Sequence, residues 1–257
     1  MIFHEPPPRA DISLDRIPLP AGIAAARPAF VMSDLHGRAD LMGRALGFAA
    51  RASRGHELIL LGDLIDRGPD PVGCVRLALA AEGTRAFSRV VLLAGNHERV
   101  MQDFLDARPA GRDALRSMGG GALATAAESD PLVMRDLRDY ASRLRPWHLN
   151  GTLVMTHAIP DPNRRIDQQA ETGLFWNSGN RAYRGGWGRL IGRDAVLIHG
   201  HVRAAVSLRA EGEGAAAAIA ADIREFRRVC CDAGSPWSGE AVLFEFEGGG
   251  LRAHGFW

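Results

Sequence analysis

Three short apolar segments, each followed by a polar loop and separated by helix-forming segments, constrain the fold of this chain most strongly. The apolar segments are PAFVMSD, ELILLGD and RVVLLAGN, and RADLMGRALGFAARAS and DPVGCVRLALAAEG lie between them. Apolar strands that alternate with amphipathic helices are typical of parallel βαβ units. Because ligands bind outside the carboxyl ends of such strands, Asp34, Asp63 and Asn96 are predicted to share one crevice.

The remaining sequence predicts a helical region followed by a second sheet. Residues 97 to about 145 have a helical pattern, interrupted by the glycines at 119–121, and are predicted to form a cap beside the crevice. The later segments GTLVMTHA, AVLIHGH, FRRVCCDAG and EAVLFEFEG predict strands in a more antiparallel sheet. Between them, the alanine-rich residues 211–221 are expected to form a loose hairpin loop or a short insertion.

Length and composition favour one large domain and exclude several classes of protein. A chain of 257 residues with 46% hydrophobic content can bury a core over residues 29–257, with the proline-rich residues 1–28 as an extended arm. The formal net charge of +1 argues against a nucleic-acid partner. No segment approaches the roughly 20 apolar residues of a membrane helix, so no membrane is expected.

The cysteines and the N-terminal segment bear on the cellular compartment. The three cysteines, Cys74, Cys230 and Cys231, do not form a disulfide framework. Residues 1–28 lack the basic start and the apolar core of a signal peptide. Both features favour a reducing cytoplasm.

Polar side chains follow the predicted strands in both halves of the chain. Asp34-Leu35-His36-Gly37 on its own is also compatible with a strand that ends in a turn. The other strand ends, however, supply further oxygen and imidazole groups, and the combined set is Asp34, His36, Asp63, Asn96, His157 and His201. Such a mixed set favours Mn, Fe or Zn over Ca. It is large enough for a dinuclear site.

The ordered motifs SDLHG, GDLIDRG and GNHE, followed by separated histidines, resemble a known family. They are similar to the serine/threonine phosphoprotein phosphatase branch of the calcineurin-like metallophosphoesterases, over nearly the whole chain. The resemblance implies a four-layer α-β-β-α sandwich with two mixed β-sheets. It also implies two divalent metal ions, with manganese expected first and iron or zinc as alternatives.

The resemblance implies a role for each of the six metal-ligand candidates. Asp34 and His36 would hold one metal, Asp63 would bridge, and the other metal would be held by Asn96, His157 and His201. A bridging carboxylate is chemically reasonable because its negative charge offsets the repulsion between two close cations.

The same resemblance implies the groups that act on the phosphate. His97 would protonate the leaving oxygen, Asp66 would orient His97, and Arg67 would grip phosphate oxygens. Asp66 and Arg67 could instead pair with each other on a surface loop. A second phosphate-binding arginine is expected in GLFWNSGNRAYRGGWG, where Arg181 is preferred over Arg184.

Three other observations concern residues near the motifs. His199 in IHGHV is expected to have a structural or supporting role and not to bind metal. Glu98 is expected in the first turn of the helix after GNHE, where a carboxylate complements the helix dipole. Residues 158–160, AIP, replace the small pair that the family has after its histidine, which changes the shape of that loop.

The implied activity is hydrolysis of phosphate monoesters, with phosphoserine and phosphothreonine in proteins, or small phosphate esters, as substrates. The alternative is a symmetrical diadenosine tetraphosphatase, which cleaves a phosphoanhydride with the same metals. A metal-binding regulatory module without catalysis is disfavoured because all six ligand candidates, His97 and Arg67 are retained. A nuclease is disfavoured because no basic and aromatic groove is evident.

Overall fold

The computed structural model describes residues 9–178, 185–204 and 206–257. The strands are β1 (Ile12–Ser13), β2 (Ile17–Pro18), β3 (Ala29–Met32), β4 (Glu57–Leu60), β5 (Arg89–Leu92), β6 (Trp147–Asn150), β7 (Leu153–Thr156), β8 (Val196–His199), β9 (Arg228–Cys230), β10 (Ala241–Glu247) and β11 (Gly250–Phe256). The α-helices are α1 (Ala39–Ala52), α2 (Pro71–Glu82), α3 (Asn96–Leu105), α4 (Gly111–Leu115), α5 (Gly121–Ser129), α6 (Pro131–Arg143), α7 (Gly188–Ile191), α8 (Leu208–Glu211), α9 (Ala215–Phe226) and α10 (Ser235–Ser238).

The first sheet contains the three parallel strands that the sequence predicts. β3, β4 and β5 are adjacent and parallel, with Met32 opposite Leu60 and Leu60 opposite Leu92 at their carboxyl ends. On the other side of β3, the antiparallel strands β10 and β11 extend the sheet, and the short strands β1 and β2 pair with β11. The loops after β3, β4 and β5 therefore leave the sheet side by side.

The second sheet has the order β6-β7-β8-β9, and the prediction that it is more antiparallel is wrong. β6 and β7 form its antiparallel pair, whereas β7–β8 and β8–β9 are parallel. The connections that contain α7 and α9 return the chain to the start of the next strand, and such crossovers produce parallel pairs. The predicted strand in EAVLFEFEG is β10, which belongs to the first sheet.

The two sheets pack face to face, with helices on their outer faces. Val31 and Ile59 of the first sheet share a buried cluster with Met155 and Ile198 of the second. Side chains alternate along a strand, so Phe30, next to Val31, points away and belongs to the core formed with α1 and α2. Short helical segments cover the outer face of the second sheet. The predicted four-layer sandwich with two mixed sheets is confirmed.

Residues 211–221 and residues 96–143 are both mainly helical. Residues 211–221 do not form the expected hairpin loop or insertion, since most of them belong to α9. Alanine has the highest helix propensity, and Ile219 and Ile223, one turn apart, are buried against the sheets. In the cap, α3 to α6 follow one another, with a π-type turn at Arg116–Gly120 in which Gly119 has a φ of +96°. None of the described helices has the length and apolarity to cross a bilayer.

Candidate metal centre and phosphate site

The loops after β3 and β4 continue the register of the two strands beyond the sheet. The backbone N–H of Asp34 donates to Gly62 O at 3.1 Å, and that of His36 donates to Asp63 O at 2.9 Å. The backbone hydrogen bonding between the two parallel strands thus continues between the loops that follow them. As a result, the acidic residue of each loop is held beside the other at the carboxyl end of the sheet.

Backbone strain is concentrated in these loops. Eight non-glycine residues of the described chain have positive φ, and six of them are candidate site residues: Asp34, His36, Asp63, Asp66, Arg67 and His201. The left-handed region is unfavourable for residues with a Cβ and persists where surrounding contacts enforce it, often at functional sites. This concentration therefore supports a functional origin for the loop conformations.

Three histidines direct one ring nitrogen toward the same region. The Nδ1 atoms of His36 and His157 lie 2.9 and 3.0 Å from Ile65 O and Leu61 O, and Nε2 of His201 lies 3.2 Å from Trp176 O. A carbonyl can only accept, so each of these nitrogens carries the proton. In a neutral ring the opposite nitrogen then has the lone pair, which is the arrangement typical of metal-binding histidines.

Asp63 lies at the centre of the site. Its Oδ2 is 3.6 Å from His36 Nε2 and 3.5 Å from His157 Nε2. Burial would raise the pKa of Asp63, but the surrounding histidines, His157 first, hold it well below its usual range. Conversely, burial lowers the pKa of His157 while Asp63 raises it, to about 10. The negative charge that favours a proton on His157 would equally favour a bound cation.

Asn96 and Asp34 complete the set of six candidates. Asn96 Oδ1 is 3.0 Å from His157 Nε2 and 3.1 Å from His201 Nδ1. Both carboxylate oxygens of Asp34 accept from the backbone N–H of His201, at 3.1 and 3.2 Å. Burial, followed by the charge of nearby Asp232, raises the pKa of Asp34 well above its usual range. An adjacent cation would offset both effects.

The donor atoms form two groups that could each hold a metal ion, and Asp63 belongs to both. Within the described residues, one group of possible ligands is His36, Asp63 and His97, and the other is Asp63, His157 and His201. The ligand atoms within each group lie within 4.8 Å of one another. Asp34 and Asn96 border these groups. Oxygen and imidazole donors around one shared carboxylate suit a pair of Mn, Fe or Zn ions.

His97 and Asp66 form a buried pair at the edge of the centre. His97 Nδ1 is 2.7 Å from Asp66 Oδ2, and the ring is fully buried. Its Nε2 has no hydrogen-bond partner among the described residues and lies 3.9 Å from Asp63 Oδ2. Burial raises the pKa of Asp66, although His97 acts in the opposite direction. Asp66 therefore fixes the ring so that Nε2 faces the centre, and it does not pair with Arg67 on the surface.

Arg67 lies at the entrance of the centre. Its Nη1 is 2.7 Å from His36 Nε2, and its Cζ is 5.1 Å from the centroid of the Trp237 ring. The backbone N–H of Arg67 donates to Gly119 O at 3.3 Å, so the glycine-rich turn of the cap contacts this loop. The second predicted phosphate ligand, Arg181, and its alternative Arg184 lie outside the described residues.

Glu98 has a larger structural role than the sequence indicates. It lies in the first turn of α3, as expected. In addition, it accepts backbone N–H groups from Asp63 at 2.7 Å and Leu64 at 2.9 Å, and the Tyr140 hydroxyl at 3.3 Å. Burial raises its pKa, and the nearby Asp63 charge adds to the shift. Glu98 thus holds the loop that carries the central carboxylate, and only the tertiary contact reveals this.

Gly95 provides the space in which Asp63 sits. A Cβ at this position would lie 2.7 Å from the backbone nitrogen of Asp63 and would overlap its carboxylate. The glycine of the GNHE motif is therefore required by close packing of two loops. A larger residue would displace the central ligand.

The other histidines take structural positions. His199 is buried and its Nδ1 contacts Gly200 O at 2.9 Å, but it belongs to neither ligand group. His56, His148 and His254 are buried beside the carboxylates of Glu245 and Glu57. These contacts agree with the supporting role expected of His199.

Trp237 is a neighbour of the site that the sequence reasoning did not single out. Its ring lies 6.3 Å from that of His36 and beside Arg67. The D-x-G segment that precedes it places Asp232 near Asp34, and burial raises the pKa of Asp232 to about 6. The sequence feature that could have indicated this position is a tryptophan within a turn rich in glycine, serine and proline.

Comparison with known proteins gives a consistent result. Residues 28–222 match the family model described as calcineurin-like phosphoesterase. The chain is 31% identical over 137 residues to serine/threonine-protein phosphatase 1 of Salmonella typhimurium, an alignment that covers 51% of this chain and 59% of that protein. The chain thus spans less than two thirds of that relative.

Two solved structures share the fold. One, named "putative diadenosine tetraphosphatase", has a TM-score of 0.56 and 19% identity, and the match covers 96% of this chain and 99% of that chain. The other, the cold-active protein-tyrosine phosphatase of a psychrophile Shewanella species, has a TM-score of 0.55 and 12% identity, with 86% and 75% covered. At these identities the likeness establishes the fold alone.

Proposed function

The chain belongs to the calcineurin-like phosphoesterases, and we propose that it hydrolyses phosphate monoesters, chiefly phosphoserine and phosphothreonine in proteins and also small phosphate esters. The observation that supports this best is Asp63, whose carboxylate belongs to both ligand groups, lies near His97 and is linked to Arg67 through His36. That arrangement would allow two cations, a proton donor and a phosphate ligand to act on one substrate.

The proposed ligands divide into two sets. Asp34 and His36 would hold one divalent cation, Asn96, His157 and His201 would hold the second, and Asp63 would contribute to both. We propose manganese as the native metal, because carboxylate, amide and imidazole donors all suit it. When bound, such a pair supplies Lewis acidity and a water-derived nucleophile near neutral pH.

His97 and Arg67 act on the substrate itself. With Nδ1–H held by Asp66, the Nε2 atom of His97 faces the centre and can give a proton to the leaving oxygen. Arg67 Nη1 contacts His36 Nε2 at 2.7 Å, which places the guanidinium beside the proposed metal ligands. Its planar group could donate to two phosphate oxygens at once. Arg181 is proposed as a second phosphate ligand.

The direct test compares substrates for the manganese-loaded protein. We expect turnover of a phosphoserine peptide and of p-nitrophenyl phosphate to depend on added manganese and to be lost on chelation. Diadenosine tetraphosphate serves as the third substrate. A large preference for the dinucleotide would overturn the proposed ranking, and no metal-dependent turnover of any of the three would overturn the function itself.

A symmetrical diadenosine tetraphosphatase is the second candidate. The observation that favours it is the exposed Trp237 ring beside Arg67, since a nucleobase next to a phosphate could stack there. Product analysis separates the two functions. Symmetrical cleavage would release two molecules of adenosine diphosphate and no inorganic phosphate, whereas a monoesterase releases phosphate from its substrates.

A further inference from the structure

Trp237 combines high exposure with a position at the catalytic centre. Of the large apolar side chains in the described residues it is the most exposed, with 63% of its surface open. Its ring is 5.1 Å from Arg67 Cζ and 6.3 Å from the His36 ring. Leaving an indole in water forgoes the free energy of burial. An exposed indole beside the proposed phosphate ligand therefore points to a binding role.

The turn that carries Trp237 is held firmly. α10 lies between Gly234 and Gly239, whose φ values of +68° and +67° suit glycine. The backbone N–H of Trp237 donates to Gly234 O at 2.9 Å, and that of Gly234 donates to Asp232 Oδ1 at 2.7 Å. Arg38 Nη1 donates to Ser235 O at 3.3 Å from a different part of the chain. Because the backbone of this turn is held in place, binding at Trp237 would cost little backbone entropy.

The Trp237 ring borders the residues that are proposed to bind the phosphate ester. The His36 ring contacts the His97 ring at 4.7 Å and the Trp237 ring at 6.3 Å. If Arg67 grips the phosphate, a group attached to that phosphate would lie within reach of the Trp237 ring, which is 5.1 Å from Arg67 Cζ.

We propose that Trp237 is a specificity residue whose indole stacks on a planar aromatic ring that the substrate carries beside the scissile phosphate. This proposal rests on the proposed phosphomonoesterase function and adds the kind of group that the site prefers. The ring could come from the leaving group of an aryl phosphate or from an aromatic residue adjacent to a phosphoserine. Both sources present the same chemistry to the indole.

Paired substrates test the proposal and distinguish the two sources. The first pair is phenyl phosphate and glycerol 2-phosphate, and the second is two phosphoserine peptides that differ only in Phe or Ala beside the phosphoserine. For Trp237→Ala we expect kcat/KM to fall about tenfold on a ring-bearing substrate, mainly through KM, since an aromatic pair contributes roughly that much. Ring-free substrates should change by less than about twofold, given that nothing stacks.

Two further variants provide the controls. Trp237→Phe keeps an aromatic face and should retain most of the preference for rings. Leu132→Ala removes an exposed apolar side chain from α6 and should leave all four rates unchanged. Equal losses on all four substrates in Trp237→Ala would overturn the proposal and show that the indole acts only by positioning Arg67. Unchanged rates on all four would overturn it as well.

A binding measurement decides the question without turnover. Phenylphosphonate, which lacks the scissile ester bond, should quench the fluorescence of the manganese-loaded protein, and methylphosphonate should not. The quenching should disappear in Trp237→Phe. If the wild-type protein hydrolysed none of the four esters, the proposed function would fail, while this titration would still support or refute stacking at Trp237. Identical quenching in wild type and Trp237→Phe would refute it.

Discussion

Two buried clusters in this protein place histidines around a carboxylate, and their difference shows what makes a metal site. At the metal centre, Asp63 is surrounded by His36, His97 and His157. On the first sheet, Glu245 lies 3.4 Å from His56 Nε2 and 3.2 Å from His254 Nε2. The residue types in the two clusters are nearly the same, but the hydrogen-bond partners of the histidine rings differ.

The hydrogen-bond partner of Nδ1, the ring nitrogen farther from the carboxylate, distinguishes His56 from His36. In the Glu245 cluster, Nδ1 of His56 accepts the backbone N–H of Arg54 at 3.0 Å, so Nε2 must carry the proton and face the carboxylate. At the metal centre, Nδ1 of His36 faces the carbonyl of Ile65, which leaves Nε2 with a lone pair. A backbone donor on Nδ1 thus leaves His56 to donate to a carboxylate, whereas a backbone acceptor on Nδ1 leaves His36 with a nitrogen that could bind a metal.

The largest expected effect comes from removing the shared charge at the metal centre. Asp63→Asn should lose metal and reduce kcat/KM by roughly 10⁴-fold or more, because a neutral amide cannot offset two cations that contribute several kcal/mol to the transition state. Metal content per chain, measured beside turnover, checks this. Two retained metals with a near-normal rate would show that Asp63 is not the bridge.

The next effect separates proton donation from metal binding. His97→Asn should keep both metals but lose roughly 10²- to 10⁴-fold in kcat for a phosphoserine peptide. The loss should be smaller for p-nitrophenyl phosphate, whose leaving group needs little protonation. Asn96→Ala, the matched control, should weaken one metal and slow both substrates alike. Equal losses in the His97 variant would favour a positioning role instead.

A smaller effect is expected for the residue that holds the Asp63 loop. Glu98→Gln replaces one accepting oxygen by an NH₂ group that cannot accept the backbone N–H groups of the loop. Metal affinity and activity should fall by about 10- to 100-fold, as is usual for groups that orient a ligand. Excess manganese should restore part of the rate. A rate that stays low at saturating metal would place Glu98 closer to the chemistry than the geometry indicates.

Substitution of Glu245 should have the smallest effect on activity, and its effect on stability should depend most clearly on pH. The His254 contact lowers the pKa of Glu245, ahead of the opposing effect of burial. When the pKa of a carboxyl is lower in the folded state, its ionised form stabilises the fold at pH values above the unfolded-state pKa, which is about 4.3 for Glu. This stabilisation is lost as the pH falls through the folded-state pKa. Because Glu245 is partly exposed, Glu245→Gln should cost only about 1 kcal/mol at neutral pH.

Thermal unfolding at several pH values checks that prediction, with metal content and turnover measured in parallel. The difference in stability between wild type and Glu245→Gln should shrink below about pH 4, whereas metal content and rate should stay normal. Loss of metal in this variant would break the distinction between the two clusters.

Sequence reasoning predicted the parts that follow from local pattern. The alternation of apolar strands and helices predicted β3 to β5. It also predicted that their carboxyl ends share one edge, because parallel strands run in the same direction. It failed at residues 211–221, where alanine content was taken for a loop although α9 forms there. It also failed for the second sheet, since strand direction depends on connections that local periodicity does not encode.

For the site, the sequence by itself determined which side chains are available, and the tertiary structure decided what each can do. The motifs name Asp34, His36, Asp63 and His97, but only the fold shows how His36 differs from His56 in its surroundings, since both are buried histidines near a carboxylate. Glu98 and Trp237 acquire their positions only through contacts with distant segments. The physical reason is that a ring's proton is assigned by whichever backbone group packs against it, and that partner is chosen by the fold.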